Sequence, residues 1–394
     1  MKYKHIILFL PLLLKVALAY ATPMTISLED VAKKVSSQNY QVRENALQLY
    51  QTKEAIQVAR GNLLPKLNFW KIAAITVDPI MALGMVEDIA PFLVPPNWLK
   101  VEEQKNLHLA KQESFRALWA NEVMTTKALY LNVLLDMAIL EHIQENKHQF
   151  ENILEIAKAR EKLGGLKPGS AREIEIQVLA LEEDKRALEV LIAQELNSLS
   201  YMLGFPSETE IILTPVDISG FETFDPLNYS DFEFRTLDSS PEIREYQHLM
   251  DAADLLKKEV VFDFWGLETP ASLKITKAQK EVLKIQKEST QELIKRQLKF
   301  LVDYYNLDLK NYNNAKKRVS LTNASLDQQL ERLKLGANID VNDLIESARN
   351  HIQADTDFFR ISYEFLRNED KLARLIFYGD YDKKPAVLEH LGEK

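Results

Sequence analysis

The chain has 394 residues and a formal net charge of −9 at pH 7, with 46% hydrophobic and 27% charged residues but only 11 glycines and no cysteine. Average usage predicts about 28 glycines, and this scarcity excludes an all-β sandwich or barrel, which needs a turn every ~8–12 residues. The lack of cysteine excludes a disulfide-stapled scaffold, and the apolar fraction is too high for intrinsic disorder. The composition therefore predicts a mainly α-helical protein.

The chain begins with residues that are typical of a cleaved export signal. Two lysines precede an apolar stretch, and small residues follow it up to Ala21. This order is that of a secretory signal peptide, so we predict a signal peptide over residues 1–21. An uncleaved membrane anchor is the alternative, which Lys15 and the shortness of the apolar stretch disfavour.

The mature chain is predicted to be more acidic than the precursor, because the signal segment carries three lysines and no acid. A net negative charge disfavours binding to nucleic acid. No stretch after residue 21 reaches 18 uninterrupted apolar residues, so we predict no transmembrane helix.

The first half, predicted over residues 22–205, reads as helix, segment, long helix, turn and returning helix. A helix over about 27–64 precedes an apolar segment, and neither glycine nor proline occurs from Asn97 to Leu163. A continuous helix of that length is roughly 100 Å long, which indicates a coiled coil rather than an ordinary globular helix. The run ends at a Gly-Gly turn, and the returning helix closes at Gly204.

The second half, predicted over residues 238–380, repeats this order. A helix over 241–260 is followed by a short segment and by a run from Ala271 to Leu335 without glycine or proline. The returning helix closes at Gly379. Because the same order of elements occurs twice, we predict an internal duplication.

The two halves align at their first helices, where an Arg-Glu pair at 43–44 matches one at 244–245. Residues 206–237 contain several prolines among Asp, Ser and Thr, so they are predicted to be a connector. Residues 381–394 are predicted to be a polar C-terminal tail.

The two long runs carry a coiled-coil seam, in which apolar residues step by threes and fours, with Lys147 at one position. The seam residues are Leu140, Ile143, Phe150, Leu154 and Ala157 in the first run, and Tyr312, Ala315, Val319, Leu326, Leu330 and Leu333 in the second. This spacing predicts antiparallel hairpins with knobs-into-holes packing. Hairpins this long present more lateral surface than two of them can cover, so we expect homo-oligomerisation with closed cyclic symmetry.

Four short motifs resemble the TolC-type outer-membrane efflux family. The first helix ends with ARGNLLP over 59–65, and the first returning helix ends with LGFP over 203–206. The second turn reads ERLKLG over 331–336 and is followed by DLIES over 343–347. Together with the duplicated order of helices, the resemblance covers nearly all of the mature chain.

The resemblance implies a homotrimer whose duplicated coiled-coil hairpins form a TolC-like α-barrel in the periplasm, continued by a β-barrel in the outer membrane. Substrates would leave passively through the lumen, handed over by an inner-membrane pump and a periplasmic membrane-fusion adaptor. The adaptor would contact the hairpin tips, which here are Gly164, Gly165, Leu335 and Gly336.

Acidic residues beyond the second turn match the family's constriction of the periplasmic entrance. By that pattern Asp343 and Glu346 would line the pore. Asp340 is a rival for the first of these positions, because the family's spacing from the turn glycine is slightly shorter than the spacing here. The alternative is that these acids are solvated charges in the first turn of a helix, where the helix dipole favours them.

The segments between the helices depart from the family pattern. A membrane-spanning strand needs roughly 9–11 residues, so a two-strand hairpin needs about 20 plus a turn. Segment 66–99 is just long enough and segment 261–272 is too short, so we predict reduced β-strand segments. Trp70, Trp98 and Trp265 lie in or beside these segments and are predicted to be membrane-proximal, the alternative being a hydrophobic plug.

No catalytic or cofactor-binding motif is recognisable, so neither an enzyme nor a cofactor is predicted. The seven histidines are scattered, and His142 and His148 fall on different helix faces, so no metal site is predicted. Two functions remain. The first is an efflux duct of a tripartite export system in the outer membrane and periplasm. The second is a periplasmic coiled-coil scaffold, derived from the same family, that has no membrane pore.

Overall fold

The computed structural model describes four stretches of the chain: residues 24–65, 90–262, 269–335 and 340–390. The predicted signal peptide and three of the predicted site residues lie outside the described residues: 1–21, Trp70, Trp265 and Gly336.

The same succession of helices occurs in both halves of the chain. The first half contains α1 (Leu28–Gln38), α2 (Tyr40–Gly61), α3 (Pro95–Lys162) and α4 (Ser170–Met202). The second half contains α5 (Ser230–Ser239), α6 (Pro241–Phe262), α7 (Thr269–Lys334) and α8 (Val341–Leu375), and α9 (Ala386–His390) follows. The prediction of a mainly α fold with duplicated long hairpins is confirmed.

Helices begin anew at matching places near the start of the two halves. Asn39 separates α1 from α2, and its side-chain oxygen accepts a hydrogen bond from the Val42 amide at 3.0 Å. At the matching place, the Ser240 hydroxyl accepts a hydrogen bond from the Ile243 amide at 3.3 Å. Both side chains satisfy an amide at the start of a helix, which is why Asn and Ser favour N-caps. In the first half, the predicted single helix over about 27–64 is therefore two helices. In the second half, the break lies just before the predicted helix over 241–260, and α5 precedes it.

A short parallel sheet joins the N-terminus to the predicted connector. β1 (Met24–Ile26) pairs with β2 (Ile211–Leu213), with Met24 opposite Ile211. The hydroxyl of Tyr130 on α3 lies 3.0 Å from the Ile26 carbonyl oxygen and 2.7 Å from that of Thr214. Because the connector holds β2 and α5, it is more regular than predicted.

Contacts divide the chain into two compact units that each combine both halves. Unit 1 comprises residues 1–35, 125–224 and 308–367, and unit 2 comprises residues 36–124, 225–307 and 368–394.

Unit 1 is held together by the predicted seam. Its two hairpins, α3–α4 and α7–α8, share one apolar cluster, which includes Phe150, Leu154, Ala157, Ile174, Leu326, Leu333, Leu344 and Ala348. Lys147 at the polar seam position places its ammonium 2.8 Å from Glu182 and 3.4 Å from Glu151. The seam therefore tolerates a lysine because two carboxylates face it.

Helices α4 and α8 end alike, although different residues close them. Gly204 (φ +76°) and Phe377 (φ +48°) each adopt the left-handed conformation, and the following amide bonds to a carbonyl five residues back. The residue that matches Gly204 is therefore Phe377, and the prediction that Gly379 closes the second half was wrong. The Phe377 ring is buried, and the guanidinium groups of Arg116 and Arg374 lie 5.4 and 5.5 Å from its centre. Packing of the ring thus offsets the backbone strain that glycine would avoid.

Helix α3 also has the length and composition of a membrane-spanning helix over one 18-residue stretch. That stretch is 44% buried inside the fold, and apolar core helices of soluble proteins have the same property. It is the one such helix in the part of the chain that the structure describes.

We predict that Asn39→Ala and Ser240→Ala each lower the free energy of unfolding, by about 1 kcal/mol, because each removes a helix N-cap. Chemical denaturation followed by circular dichroism measures the effect. Gln57→Ala, at an exposed position on α2, is the control and should stay within about 0.5 kcal/mol of the wild type. Equal stability of all three variants would contradict the assigned caps.

Candidate functional sites

The tip of the first hairpin is a tight glycine turn that exposes a leucine. Gly164 has φ +73°, and the amide of Gly165 donates to the Arg160 carbonyl at 2.8 Å. This pattern ends a helix with a residue in the left-handed region, which favours glycine. As a result Leu163 is 85% exposed at the end of α3.

The returning helix of this hairpin is capped from across the turn. Gly169 precedes α4 with φ +97° and has no side chain with which to cap it. The Glu161 carboxylate supplies the cap, accepting hydrogen bonds from the amides of Gly169 at 2.8 Å and Ala171 at 2.9 Å. These bonds hold the pKa of Glu161 below its usual value, since they favour the charged carboxylate.

The second tip exposes a matching leucine, because Leu335 is also 85% exposed. Beyond it, Asp340 caps α8, and its carboxylate accepts a hydrogen bond from the Asn342 amide at 3.0 Å. That bond and the Lys167 ammonium hold the pKa of Asp340 below its usual value. The Asp340 carboxylate thus already has partners at the start of α8, in the Asn342 amide and the Lys167 ammonium.

Polar contacts tie the two tips together above the shared apolar cluster. The Arg160 guanidinium donates to the Leu333 carbonyl at 2.9 Å, and the Lys167 ammonium lies 3.4 Å from the Asp340 carboxylate. The Arg160 bond satisfies one of the carbonyl groups that the end of α7 leaves free. The tips of the two hairpins therefore form one surface.

The other two predicted pore acids lie on an exposed face of α8. Asp343 and Glu346 are exposed and three residues apart, whereas Val341, Leu344 and Ile345 on the opposite face are buried. Residues three apart on a helix are neighbours. Asp343 and Glu346 therefore share one exposed face of α8, whereas the Asp340 carboxylate caps the start of the helix.

Of the predicted membrane-proximal tryptophans, Trp98 lies in the described residues. It is 51% exposed near the start of α3, and its ring N–H donates to the Phe92 carbonyl at 2.8 Å. Phe92 and Leu93 beside it are also exposed. These three exposed apolar side chains lie close together in the sequence, at and just before the start of α3.

The helices of unit 2 lie side by side in the order α2, α3, α6, α7. The contacts that define this order are Thr52–His108 at 2.8 Å, Lys100–Glu259 at 3.1 Å and Lys280–Asp254 at 2.6 Å. Helices α2 and α7 both carry exposed apolar side chains: Leu47 and Val58 on α2, and Ile275, Val282, Leu293 and Phe300 on α7. Open grooves of about 640 and 550 Å³ lie along α7 beside these residues. We call these apolar surfaces of α2 and α7 the two edges of unit 2.

Unit 1 also exposes apolar side chains on α4, which form a stripe along the helix: Ile176, Leu179, Val190 and Tyr201. Large apolar patches on a protein surface mark interaction sites.

Sequence reasoning missed a buried cluster of titratable side chains. His142 and His148 lie on different helix faces as predicted, since His142 is buried and His148 is exposed. His142 meets His351 and Asp355 from α8, however, with its Nε2 3.1 Å from the Asp355 carboxylate. The signal in the sequence that could have indicated this cluster is the i,i+4 spacing of His351 and Asp355, which places both side chains on one face of a helix. Over the described ranges, no group of His, Cys, Asp and Glu is arranged to hold a metal ion.

A carboxyl pair lies between α3 and α4. Burial and the neighbouring Asp136 raise the pKa of Glu195 to about 7. Burial likewise raises the pKa of Asp136, while its hydrogen bond with Glu195 and the charge of Arg367 act in the opposite direction. One proton is therefore shared by the two carboxyl groups near neutral pH.

No protein-family model and no curated protein matches the sequence. Solved structures do match the fold. A membrane protein from Pseudomonas aeruginosa has a TM-score of 0.76 at 12% identity, covering 93% of this chain and 94% of its own. The outer-membrane channel OprN has a TM-score of 0.74 at 12% identity, covering 90% of both chains. The Campylobacter jejuni outer-membrane channel CmeC has a TM-score of 0.73 at 11% identity, covering 93% of this chain and 88% of its own.

These similarities confirm the predicted resemblance at the level of the fold. The chain has the helical fold of TolC-type outer-membrane efflux channels along nearly its whole length. At so low an identity, the shared fold does not transfer the roles of individual residues to this chain.

We predict that Glu161→Ala loosens the first tip, because the amides of Gly169 and Ala171 lose their acceptor. Hydrogen–deuterium exchange over residues 165–171 should become faster, while the denaturation midpoint of the whole protein changes little. Glu155→Ala is the matched control, since Glu155 lies on the same helix and pairs only with Lys158 at the surface. Unchanged exchange in Glu161→Ala would contradict the capping role.

Proposed function

We propose that the protein is a passive duct component of an export system, in which several copies close into a ring of helices. The observation that carries this proposal is the pair of apolar edges of unit 2, on α2 and α7. Apolar side chains of both helices are exposed to solvent in a single copy, and burying them against further copies would stabilise an assembly.

The energetics favour association through these edges. Fully burying one Val, Leu, Ile or Phe side chain contributes about 1.5–3 kcal/mol, and each of the named residues of the α7 edge is more than half exposed. Because the two edges differ, contact between copies joins the α2 edge of one to the α7 edge of the next. Such head-to-tail contacts close into a ring when the rotation between copies allows it. Three copies is the number implied by the TolC resemblance.

The hairpin tips are the proposed contact with a periplasmic membrane-fusion adaptor, which would link the duct to an inner-membrane pump. Leu163 and Leu335 support this role, since each is 85% exposed beside a turn glycine. The contacts of Arg160 and Lys167 with the second hairpin fix the two leucines within one surface. Gly164, Gly165 and Gly336 belong to the same proposed surface.

Asp343 and Glu346 are the proposed acids of the pore entrance. Their exposure on one face of α8, close to the tips, supports this role, and a ring of copies would bring several such pairs together. Asp340 is the weaker candidate, because it already caps α8 and contacts Lys167. Acids in a ring would favour passage of cations over anions.

Export through the predicted signal peptide and attachment to the outer membrane are part of this proposal. The similar structures are described as outer-membrane channels, and neither an enzymatic activity nor a cofactor is proposed. Trp98 and its exposed neighbours are the proposed membrane-proximal patch, together with Trp70 and Trp265.

A scaffold without a membrane pore is the second candidate, and one observation favours it. Helix α6 ends at Phe262 and α7 begins at Thr269, so residues 263–268 alone separate them. Two membrane-spanning strands need about 20 residues. This half of the chain is too short at that place to contribute the two strands that the family pattern requires.

We predict that Phe300→Glu disrupts the ring, because the charge must be desolvated in the contact between copies. The mass of the purified protein, measured by light scattering, should fall from that of an oligomer to that of a monomer, and single-channel conductance in planar bilayers should be lost. Lys299→Glu, at the exposed neighbouring position, should preserve both. If the wild-type protein is an oligomer that never conducts, the scaffold is favoured. If the wild-type protein is a monomer, the proposed ring of copies is excluded.

We predict that two photo-cross-linking positions capture different partners in cells. A photoreactive residue at Leu163 should form an adduct with a periplasmic protein other than this chain, and one at Leu293 should form an adduct with a second copy. Mass spectrometry of the adducts identifies the partner. Capture of a second copy at both positions would contradict adaptor docking at the tips.

A further inference from the structure

Three titratable side chains meet in the interior of unit 1, and we call them the His–Asp–His cluster: His142 on α3, and His351 and Asp355 on α8. One oxygen of the Asp355 carboxylate lies 3.1 Å from Nε2 of His142 and 3.5 Å from Nε2 of His351. The two imidazole rings are 6.1 Å apart and nearly perpendicular. All three side chains are only 10–14% exposed.

The surroundings of the cluster offer few other charges. On α3, Asn146 places its amide nitrogen 2.9 Å from Nε2 of His142, and Glu145 acts on His142 through its charge. On α7, the Thr322 hydroxyl lies 3.5 Å from Nδ1 of His351. On α8, Phe359 packs edge-on against His142 at 6.0 Å. The nearest counter-ion for both histidines is therefore the same carboxylate.

One carboxylate can balance one imidazolium, but it cannot balance two. A first proton on either histidine completes an ion pair with Asp355. A second proton places two positive rings beside one buried carboxylate, where water cannot screen their repulsion. The cluster is therefore balanced when one histidine is charged and strained when both are, and acid favours the doubly charged state.

The cluster also connects the two hairpins of unit 1, so charge repulsion within it acts on the contact between them. His142 belongs to the first hairpin, α3–α4, and His351 and Asp355 belong to the second, α7–α8. We propose that the His–Asp–His cluster is a proton-sensitive joint, which holds the two hairpins of unit 1 together at neutral pH and loosens them in acid. The proposal concerns packing within unit 1 and holds whether or not the protein forms a duct.

The direction of the effect follows from linkage. Burial is the main cause that lowers the pKa of His142 below its usual value of 6.5, and His351 acts in the same direction, whereas Asp355 and Glu145 oppose it. The folded protein thus binds fewer protons at this site than the unfolded chain. The stability that the site contributes is fully present above about pH 6.5 and is lost as the pH falls below it.

The carboxyl pair of Asp136 and Glu195 responds in the opposite direction. It joins α3 to α4 within the first hairpin, and the pKa of Glu195 is raised to about 7. Ionisation of both groups above that pH weakens the pair, whereas acid restores the shared proton. Acid therefore strengthens this contact inside one hairpin while it loosens the contact between the hairpins.

The experiment uses the lack of native cysteine in the chain. Leu163→Cys and Leu335→Cys place one spin label on each tip, at positions that are exposed in unit 1. Labelled copies are diluted with unlabelled ones, and the distance distribution is recorded by pulsed electron paramagnetic resonance between about pH 7.5 and about pH 5.5. We expect a narrow distribution at neutral pH and a broader, longer one in acid.

Three variants, in the doubly labelled background, separate the proposal from a general effect of acid. His142→Gln removes the titrating ring but keeps a polar side chain, so the response to acid should be lost. Asp355→Asn removes the shared counter-ion, so the midpoint of the response should move to lower pH by about one unit. His148→Gln is the matched control, because His148 is exposed on the same helix, and it should respond like the wild type.

An unchanged distribution across this pH range in the wild type would overturn the proposal, as would an acid response that persists in His142→Gln. Helicity measured by circular dichroism shows whether each variant has folded. If His142→Gln fails to fold, the midpoint of the acid response in Asp355→Asn tests the proposal instead. A midpoint that stays in place or moves to higher pH overturns it. A tip distance that is altered equally at both pH values in Asp355→Asn would show a purely structural role and also overturn it.

Discussion

The lateral surface of two very long helices is the constraint on which the rest of this structure depends. Helices α3 and α7 have 68 and 66 residues, and each contains about 100 Å of helix at 1.5 Å per residue. The chain supplies α4 and α8 as antiparallel partners along one part, and α2 and α6 along another. Those partners bury one face of each long helix. The apolar side chains at the two edges of unit 2 remain exposed to solvent in a single copy, and the proposed ring would bury them.

In a chain of long helices, the residues with distinct backbone roles, which cap or end a helix, lie at the helix ends. Each helix end leaves backbone groups without partners, and this chain satisfies them by varied means. Glu161 caps α4 from across the turn, whereas Asp340 caps α8 directly. Gly204 ends α4 in the left-handed conformation, which glycine adopts without strain. Phe377 ends α8 in the same conformation and has a buried ring. The duplicated halves have thus kept the backbone hydrogen bonds while exchanging the side chains that support them.

Periodicity predicted the long helices well, because apolar spacing and missing breakers act along the whole length of a helix. The predicted run from Asn97 to Leu163 became Pro95–Lys162, and most of the predicted seam residues belong to the apolar cluster of unit 1. The break at Asn39 was missed because a cap is one local hydrogen bond within an otherwise helical pattern. The His–Asp–His cluster was missed for a different reason. Its members lie on helices from different halves, and their meeting depends on how α3 packs against α8, which no local pattern encodes.

Identity of 11–12% to solved channels, at TM-scores of 0.73–0.76, indicates how little this fold demands of individual residues. Apolar spacing along the seam and correct helix ends are sufficient, and many side chains meet those needs. Residues outside the seam are then free to diverge with the partners of each protein. The tips of this chain carry a leucine beside each turn and contacts from Arg160 and Lys167 between hairpins. In the proposed adaptor contact, specificity would come from such exposed residues, while the buried seam preserves the fold that presents them.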